Sequence, residues 1–185
     1  MSIFPKPYAD VVQRLRVTAG FLLVVAFAWL SQPSFRSLEF GLPVSVLGLL
    51  LRAWASGHLE KNLRLAGSGP YAHVRNPLYL GTLLVAAGLA IASRRWILAG
   101  LFAAVFLLIY LPAIELEEQH LRDLFPNFAD YAKQVPALWP RLKPAHTDGR
   151  FRFDLYLRNR EYQALLGFLL GAAFLIAEAL VRGVH

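Results

Sequence analysis

Residues 96–125 read WILAGLFAAVFLLIYLPAIELEEQHLRDLF. The first 19 of these, 96–114, carry no charge, and then Glu115, Glu117 and Glu118 arrive together. A hydrocarbon core about 30 Å thick takes roughly 20 helical residues to cross. The stretch therefore predicts a membrane-spanning helix that ends in carboxylates at the bilayer boundary. Carboxylates there are costly unless they face a polar cavity or a partner. Leu121, Leu124 and Phe125 continue an apolar stripe beside them, which argues for packing rather than a freely solvated face.

Outward from this helix the same pattern repeats. Uncharged runs cover 17–35, 40–51, 76–93 and 162–177. The run 40–51 is short, but "AWAS" extends it past Arg52, whose guanidinium is expected to snorkel to the headgroups. The chain of 185 residues is 57% hydrophobic and only 17% charged, with the charges gathered between the runs. Such a balance excludes a soluble domain and predicts an all-α, polytopic bundle of five transmembrane helices forming one membrane domain over 1–185. There is no cysteine, so disulfides, thiol nucleophiles and cysteine zinc sites are excluded. No histidine–carboxylate spacing marks a metal site. "AFA" at 26–28 resembles a signal-peptide cleavage site, but Trp29 follows at once and a retained span is the better reading.

Lysine and arginine give the orientation. With a cytoplasmic N-terminus, 15 of the 19 basic residues fall in inner segments, leaving Arg36, Arg94, Arg95 and Arg182 outside. This asymmetry follows the positive-inside rule, so the net charge of +7 records topology and contact with anionic lipid rather than nucleic acid. The outer loops are short, the C-terminus falls outside, and the polar chemistry collects on the inner face. That face has an interfacial N-terminal lead-in, the loop 57–76 and the segment 115–161.

Within the loop, "SGHLEKN" is read as a continuation of the second helix, with His58 and Asn62 on one face and Gly57 open to close approach. "GSGPYAHVRNPLYLG", 67–81, follows. Its glycines and Pro70 break the helix. Pro77 keeps Asn76 out of helical angles and suits the first turn of a third helix, with Asn76 as its N-cap. The helix start favours an anion, and Arg75 adds a planar cationic fork. "FPNFADYAKQVPALWPRL", 125–142, is aromatic and proline-punctuated and reads as a cap laid over the bundle. "FRFDLYLRNREYQ", 151–163, alternates basic and aromatic residues and reads as an interfacial segment for lipid anchoring or substrate recruitment. An anion-binding helix start, a carboxylate cluster, histidine and tyrosines suit a ligand with a carboxylate, an amine, ribose hydroxyls, an aromatic base and a cationic centre. S-adenosylmethionine has all five, and on the residues alone it is one option among several.

Arg75, Asn76, Pro77, Tyr79 and Gly81, then Glu117, Glu118, Leu121 and Phe125, then Tyr131, Val135 and Pro136 stand in a recurring order. By them the chain resembles the isoprenylcysteine carboxyl methyltransferases and the similar phospholipid N-methyltransferases, over about residues 50–142. Asn76 stands where the carboxyl methyltransferases have histidine, and Pro126 where a glycine is usual. The resemblance implies a methyltransferase core at 50–142, with 143–185 as interfacial segment and last span. It implies S-adenosylmethionine held by Glu117, Glu118, Tyr79, Leu80 and Gly81, by the loop Gly69, Pro70, Tyr71 and His73, and by Asn76 and Tyr131. Arg75 is then the candidate group for a carboxylate of acceptor or cofactor; for an acceptor that must lose a proton, His58 or a glutamate is the candidate to take it, and the residues do not choose between them. The implied reaction is methyl transfer to a lipophilic acceptor entering from the bilayer. "GSG" at 67–69 follows no strand and runs into proline, so it is no dinucleotide fingerprint. The other readings are a membrane reductase using NADPH and a non-catalytic membrane protein.

Overall fold

The computed structural model describes residues 6–145 and 149–183, with side chains described from 18 to 182. The N-terminal lead-in read from the sequence therefore falls largely outside the described residues. The order is α1 (Lys6–Leu30), α2 (Phe35–Ser56), a short 3₁₀ turn (Gly69–Ala72), α3 (Pro77–Ser93), α4 (Trp96–Leu124), α5 (Phe128–Gln134), α6 (Phe153–Arg158) and α7 (Tyr162–Gly183). There is no strand among the described residues. Three helices, α2, α4 and α7, are long and apolar enough to cross a bilayer; the described apolar part of α1, Thr18–Leu30, and α3 are shorter. Large apolar side chains such as Phe21, Trp29, Trp96, Leu108 and Leu170 stand exposed around the bundle, as a lipid solvent requires.

Three boundaries differ from the sequence reading. Helix α2 begins earlier, at Phe35, because Ser34 and Ser37 form a reciprocal capping box that draws Arg36 and Glu39 into its first turns. It ends at Ser56, not beyond Asn62. Gly57 caps it, and Asn62 has a left-handed backbone at φ 60°, so His58 and Asn62 share no helical face. Helix α4 contains one wide turn, Phe106–Tyr110, closed by a bond from the Leu111 N–H to the Phe106 carbonyl five residues back. Pro112 follows. It cannot donate one turn back and its ring crowds that carbonyl, so the widened turn lets the helix pass through the proline without breaking.

The most extensive helix pair is α2 with α3, which run antiparallel. Gly41 and Gly48 of α2 face Gly88 and Gly81 of α3. A Cβ on Gly41 would lie 2.5 Å from the Gly88 carbonyl oxygen, and one on Gly48 would lie 2.6 Å from that of Gly81. The two backbones touch, and the buried Ser45 hydroxyl donates to the Val85 carbonyl at 3.0 Å. Without a hydrophobic drive between helices in lipid, such close van der Waals contact is what holds a pair together.

One end of the bundle is closed by short turns. The Gln32 N–H donates to Ser93 at 2.9 Å, the Ser37 hydroxyl to the Ala92 carbonyl at 2.8 Å, and the Ser31 hydroxyl to Glu178 at 2.7 Å. Glu178, the one acidic residue within α7, also takes two hydrogen bonds from Arg182. The loop 57–76, the acidic end of α4, α5 and α6 all gather at the other end.

Arg52 does not reach outward. It forms a two-pronged pair with Glu161, at 2.5 and 3.0 Å, and donates to the Leu78 carbonyl and the Thr82 hydroxyl of α3. The segment read as interfacial is fastened to α2 as well. Asn159 donates to the carbonyls of Ser56 and Leu59 at 2.9 and 3.0 Å, and the Phe151 ring fills the space that Gly57 leaves.

Gly88→Val places branched carbon against backbone that cannot retreat. It is expected to destabilise the bundle by at least the roughly 1–3 kcal/mol of an overpacked core. Gly100→Val, with nothing within 4 Å of the new Cβ, is expected to change little. Thermal unfolding of the two variants in detergent checks the difference.

Candidate functional site

The sequence places Arg75 immediately before a helix start and Glu118 at a helix end, 43 residues apart. The fold brings them together. Arg75 Nε and Nη2 donate to the two oxygens of Glu118 at 2.9 and 3.1 Å, and both side chains are about 15% exposed. Arg75 Nη1 donates to the carbonyls of Ala132 and Val135, each at 2.8 Å. A guanidinium is a flat fork of five donors, and four are used here to join loop, α4 and α5. Arg75 is therefore a clamp between protein segments in this structure and not the open anion fork that the sequence suggests.

Asn76 departs from expectation in a similar way. Its side chain makes no N-cap bond. The amide donates instead to Glu118 and to the Ala137 carbonyl, both at 3.1 Å, while α3 still starts at Pro77. Backbone bonds complete the seam: Arg75 N–H to Pro136, Asn76 N–H to Ala137, Arg141 N–H to His73 and Ala145 N–H to Ala72. The cap read from 125–142 thus lies along the strip 72–76, with its own core of Phe128, Tyr131 and Val135 packed on Leu65, Leu121 and Phe125.

Beside this clamp lies a cavity of about 540 Å³. Its α4 wall is Ala113, Leu116, Glu117, His120 and Leu121, spaced at threes and fours so that they share one helical face. Glu118 joins them from the clamp. The first turn of α3, Pro77, Leu78 and Tyr79, forms a second wall. Tyr71, Phe125, Phe128 and Tyr131 close it on the cap side, and the loop brings Leu59, Asn62, Leu65, Lys61 and Arg64 to the rim. Glu117 is exposed and accepts from the Tyr79 hydroxyl at 2.9 Å. The Tyr79 ring meets that of Tyr110 edge-on, with centroids 5.9 Å apart, and Tyr110 stacks on Phe106. The wide turn of α4 thus carries the ring against which Tyr79 rests.

The cavity brings together Arg75, Asn76, Tyr71, Tyr79, Glu117, Glu118 and Tyr131 of the residues singled out from sequence. It leaves out Gly69, Pro70, His73, Leu80, Gly81 and His58. Gly81 is consumed by the contact with Gly48 and the Arg52 stem. Gly69 holds a left-handed backbone, φ 59°, with the His58 ring against the place a Cβ would take. His58 bonds Ser68 through Nδ1 at 3.1 Å and lies between the rings of Trp54 and Phe151. Burial lowers its pKa below the usual imidazole value. His73 Nδ1 bonds the Arg141 carbonyl at 2.8 Å. Sequence reasoning missed Lys61, Arg64 and His120. The last was legible, since it stands three residues after Glu117 on the same face.

Apolar and polar lining together and the position at the end of a membrane bundle define the class: an integral membrane protein with a cavity at its boundary. Residues 15–127 match the model of the phospholipid methyltransferase family, and the chain belongs to that family. The match begins earlier than the residue 50 at which the motifs start. The chain is 36% identical over 107 residues to the cobalt-zinc-cadmium resistance protein CzcN of Cupriavidus metallidurans, covering 55% of this chain and 50% of that one. It is 35% identical over 107 residues to the nickel-cobalt-cadmium resistance protein NccN of Alcaligenes xylosoxydans xylosoxydans, with the same coverage. The chain thus spans about half the length of the curated relatives it matches. No solved structure matches. Among the described residues no group of three or more histidine and carboxylate side chains is arranged to hold a metal ion.

Glu118→Ala strips Arg75 of its counter-charge where little water reaches it. It is expected to cost roughly 3 kcal/mol, as for a broken buried pair. Glu117→Ala, at an exposed carboxylate, is expected to stay within about 0.5 kcal/mol. Melting temperatures in detergent of the two neighbouring variants check the contrast.

Proposed function

We propose that the protein transfers a methyl group from S-adenosylmethionine to a lipophilic acceptor, at the membrane face that its lysine and arginine asymmetry assigns to the cytoplasm. The observation that carries this reading is the meeting of the loop before α3 with the acidic end of α4 over one cavity, polar at the rim and apolar below. A volume near 540 Å³ falls in the range of small-molecule sites. The donor set fits the cofactor. Glu117 keeps acceptor capacity beyond its bond to Tyr79, which suits an ammonium or ribose hydroxyls. The tyrosine and phenylalanine rings tolerate a sulfonium. The family membership supports the same reaction class.

Bound there, S-adenosylmethionine would supply an electrophilic methyl group, with Glu117 holding its ammonium or ribose hydroxyls and the tyrosine and phenylalanine rings beside its sulfonium. The protein's share is alignment and exclusion of water rather than acid–base chemistry. The Arg75–Glu118–Asn76 clamp fixes the α3 start against α4, so that the two walls hold their spacing. Leu78, Ala113 and Leu116 give an apolar floor continuous with the helices.

Calorimetric titration of the purified protein with S-adenosylmethionine is expected to give a saturable isotherm, and titration with NADPH none. Glu117→Gln is expected to weaken the cofactor tenfold or more, the loss of a hydrogen bond to a charged group. Equal affinity in that variant, or binding of NADPH instead, overturns the reading.

A further inference from the structure

Three tyrosines line the cavity, and their hydroxyls are not in the same state. Tyr79 donates to Glu117. Tyr131 donates to the Tyr71 carbonyl at 2.8 Å in a fully buried bond. The Tyr71 hydroxyl has no hydrogen-bond partner among the described residues, although the residue is only 7% exposed. Every sealed polar side-chain atom among the described residues has a partner. An unpaired Tyr71 oxygen is therefore one that opens on the cavity space. A hydroxyl that opens on a cavity and is not engaged by the protein is available to hydrogen-bond a ligand there.

Its surroundings say which ligand. The side chain lies within electrostatic reach of Glu117 at the rim and of Glu161 and Arg52, the pair anchored to Leu78 and Thr82 of α3. Tyr71 lines the cavity where Glu117 and the apolar Leu78, Ala113 and Leu116 also meet. An amphiphile offers a polar head and an apolar chain to such a mixed lining. Burial first, and then the carboxylate of Glu117, raises the phenol pKa, so the group stays protonated and acts as a neutral donor.

From this placement we infer that the Tyr71 hydroxyl is an acceptor-positioning group, donating a hydrogen bond to the polar head of the amphiphile that is methylated. The inference rests on the methyl-transfer reading of the same cavity. It assigns Tyr71 to the acceptor, and its role is separate from that of Glu117, proposed to hold the cofactor. Tyr131, which looks alike in sequence, is assigned a structural bond instead.

The test compares Tyr71→Phe and Tyr131→Phe with the parent protein. The probes are S-adenosylmethionine labelled in the methyl group and vesicles of phosphatidylethanolamine and phosphatidylglycerol in equal parts, read as label in the lipid phase. Tyr71→Phe is expected to melt at or above the parent temperature, because it removes only an unpaired hydroxyl. It is expected to bind S-adenosylmethionine within about twofold of the parent and to lose tenfold or more of transfer at low lipid, the worth of one hydrogen bond. Tyr131→Phe is expected to melt lower.

Three outcomes overturn the inference. A lower melting temperature for Tyr71→Phe makes the hydroxyl structural, weakened cofactor binding moves it to the cofactor, and undiminished transfer leaves it idle. Failure of the parent protein to label any lipid while binding the cofactor also counts against an acceptor at this place. Failure of the parent to bind S-adenosylmethionine at all is the separate failure of the methyl-transfer reading.

Discussion

Arg75 holds the cavity end of the molecule together. Its guanidinium spends two donors on Glu118 and two on the carbonyls of Ala132 and Val135, while its own N–H reaches Pro136. A single planar group thereby joins the start of α3, the end of α4 and the cap. A bidentate pair fixes orientation as well as distance, which a lysine's point charge does not. Asn76 to Glu118 and Tyr79 to Glu117 join the same two walls by single hydrogen bonds, and the guanidinium adds the two-pronged pair.

The spans that support this end are held by a different kind of force. Lipid removes the hydrophobic drive between helices, so α2 and α3 associate through backbone contact at Gly41, Gly48, Gly81 and Gly88. That contact places Arg52 of α2 beside Leu78 and Thr82 of α3. Glu161 then meets Arg52 and brings the start of α7 to the same level. Polar pairing at the boundary and close packing within the bundle are thus continuous, and the cavity sits where one gives way to the other.

The polar groups of the cavity divide between those bonded to protein partners that join segments and those left open on the cavity. Glu118, Asn76 and Tyr131 are spent on protein partners, whereas Glu117 is exposed and Tyr71 unpaired. Residues of one motif therefore carry different duties. Mutating a motif residue reports on whichever duty the fold gave it. Family membership fixes the reaction class only coarsely, because the curated relatives are twice as long as the matched stretch and are named for metal resistance.

The all-helical class, the apolar helices, the start of α3 at Pro77 and the acidic end of α4 were legible in the sequence. Each rests on local physics: the length of an uncharged run, the fixed φ of proline and the cost of a carboxylate at the bilayer boundary. The meeting of 67–81 with 115–125 was legible too, through the resemblance that their order carries. The fates of individual side chains were not. Arg52 turned inward to Glu161, Asn76 left its cap for Glu118, His58 went into packing, and Tyr71 alone of three similar tyrosines kept a free hydroxyl. A side chain's composition and spacing say what it can bond to. Which partner it bonds to depends on atoms brought within about 3 Å by segments tens of residues apart, and only the tertiary structure decides that.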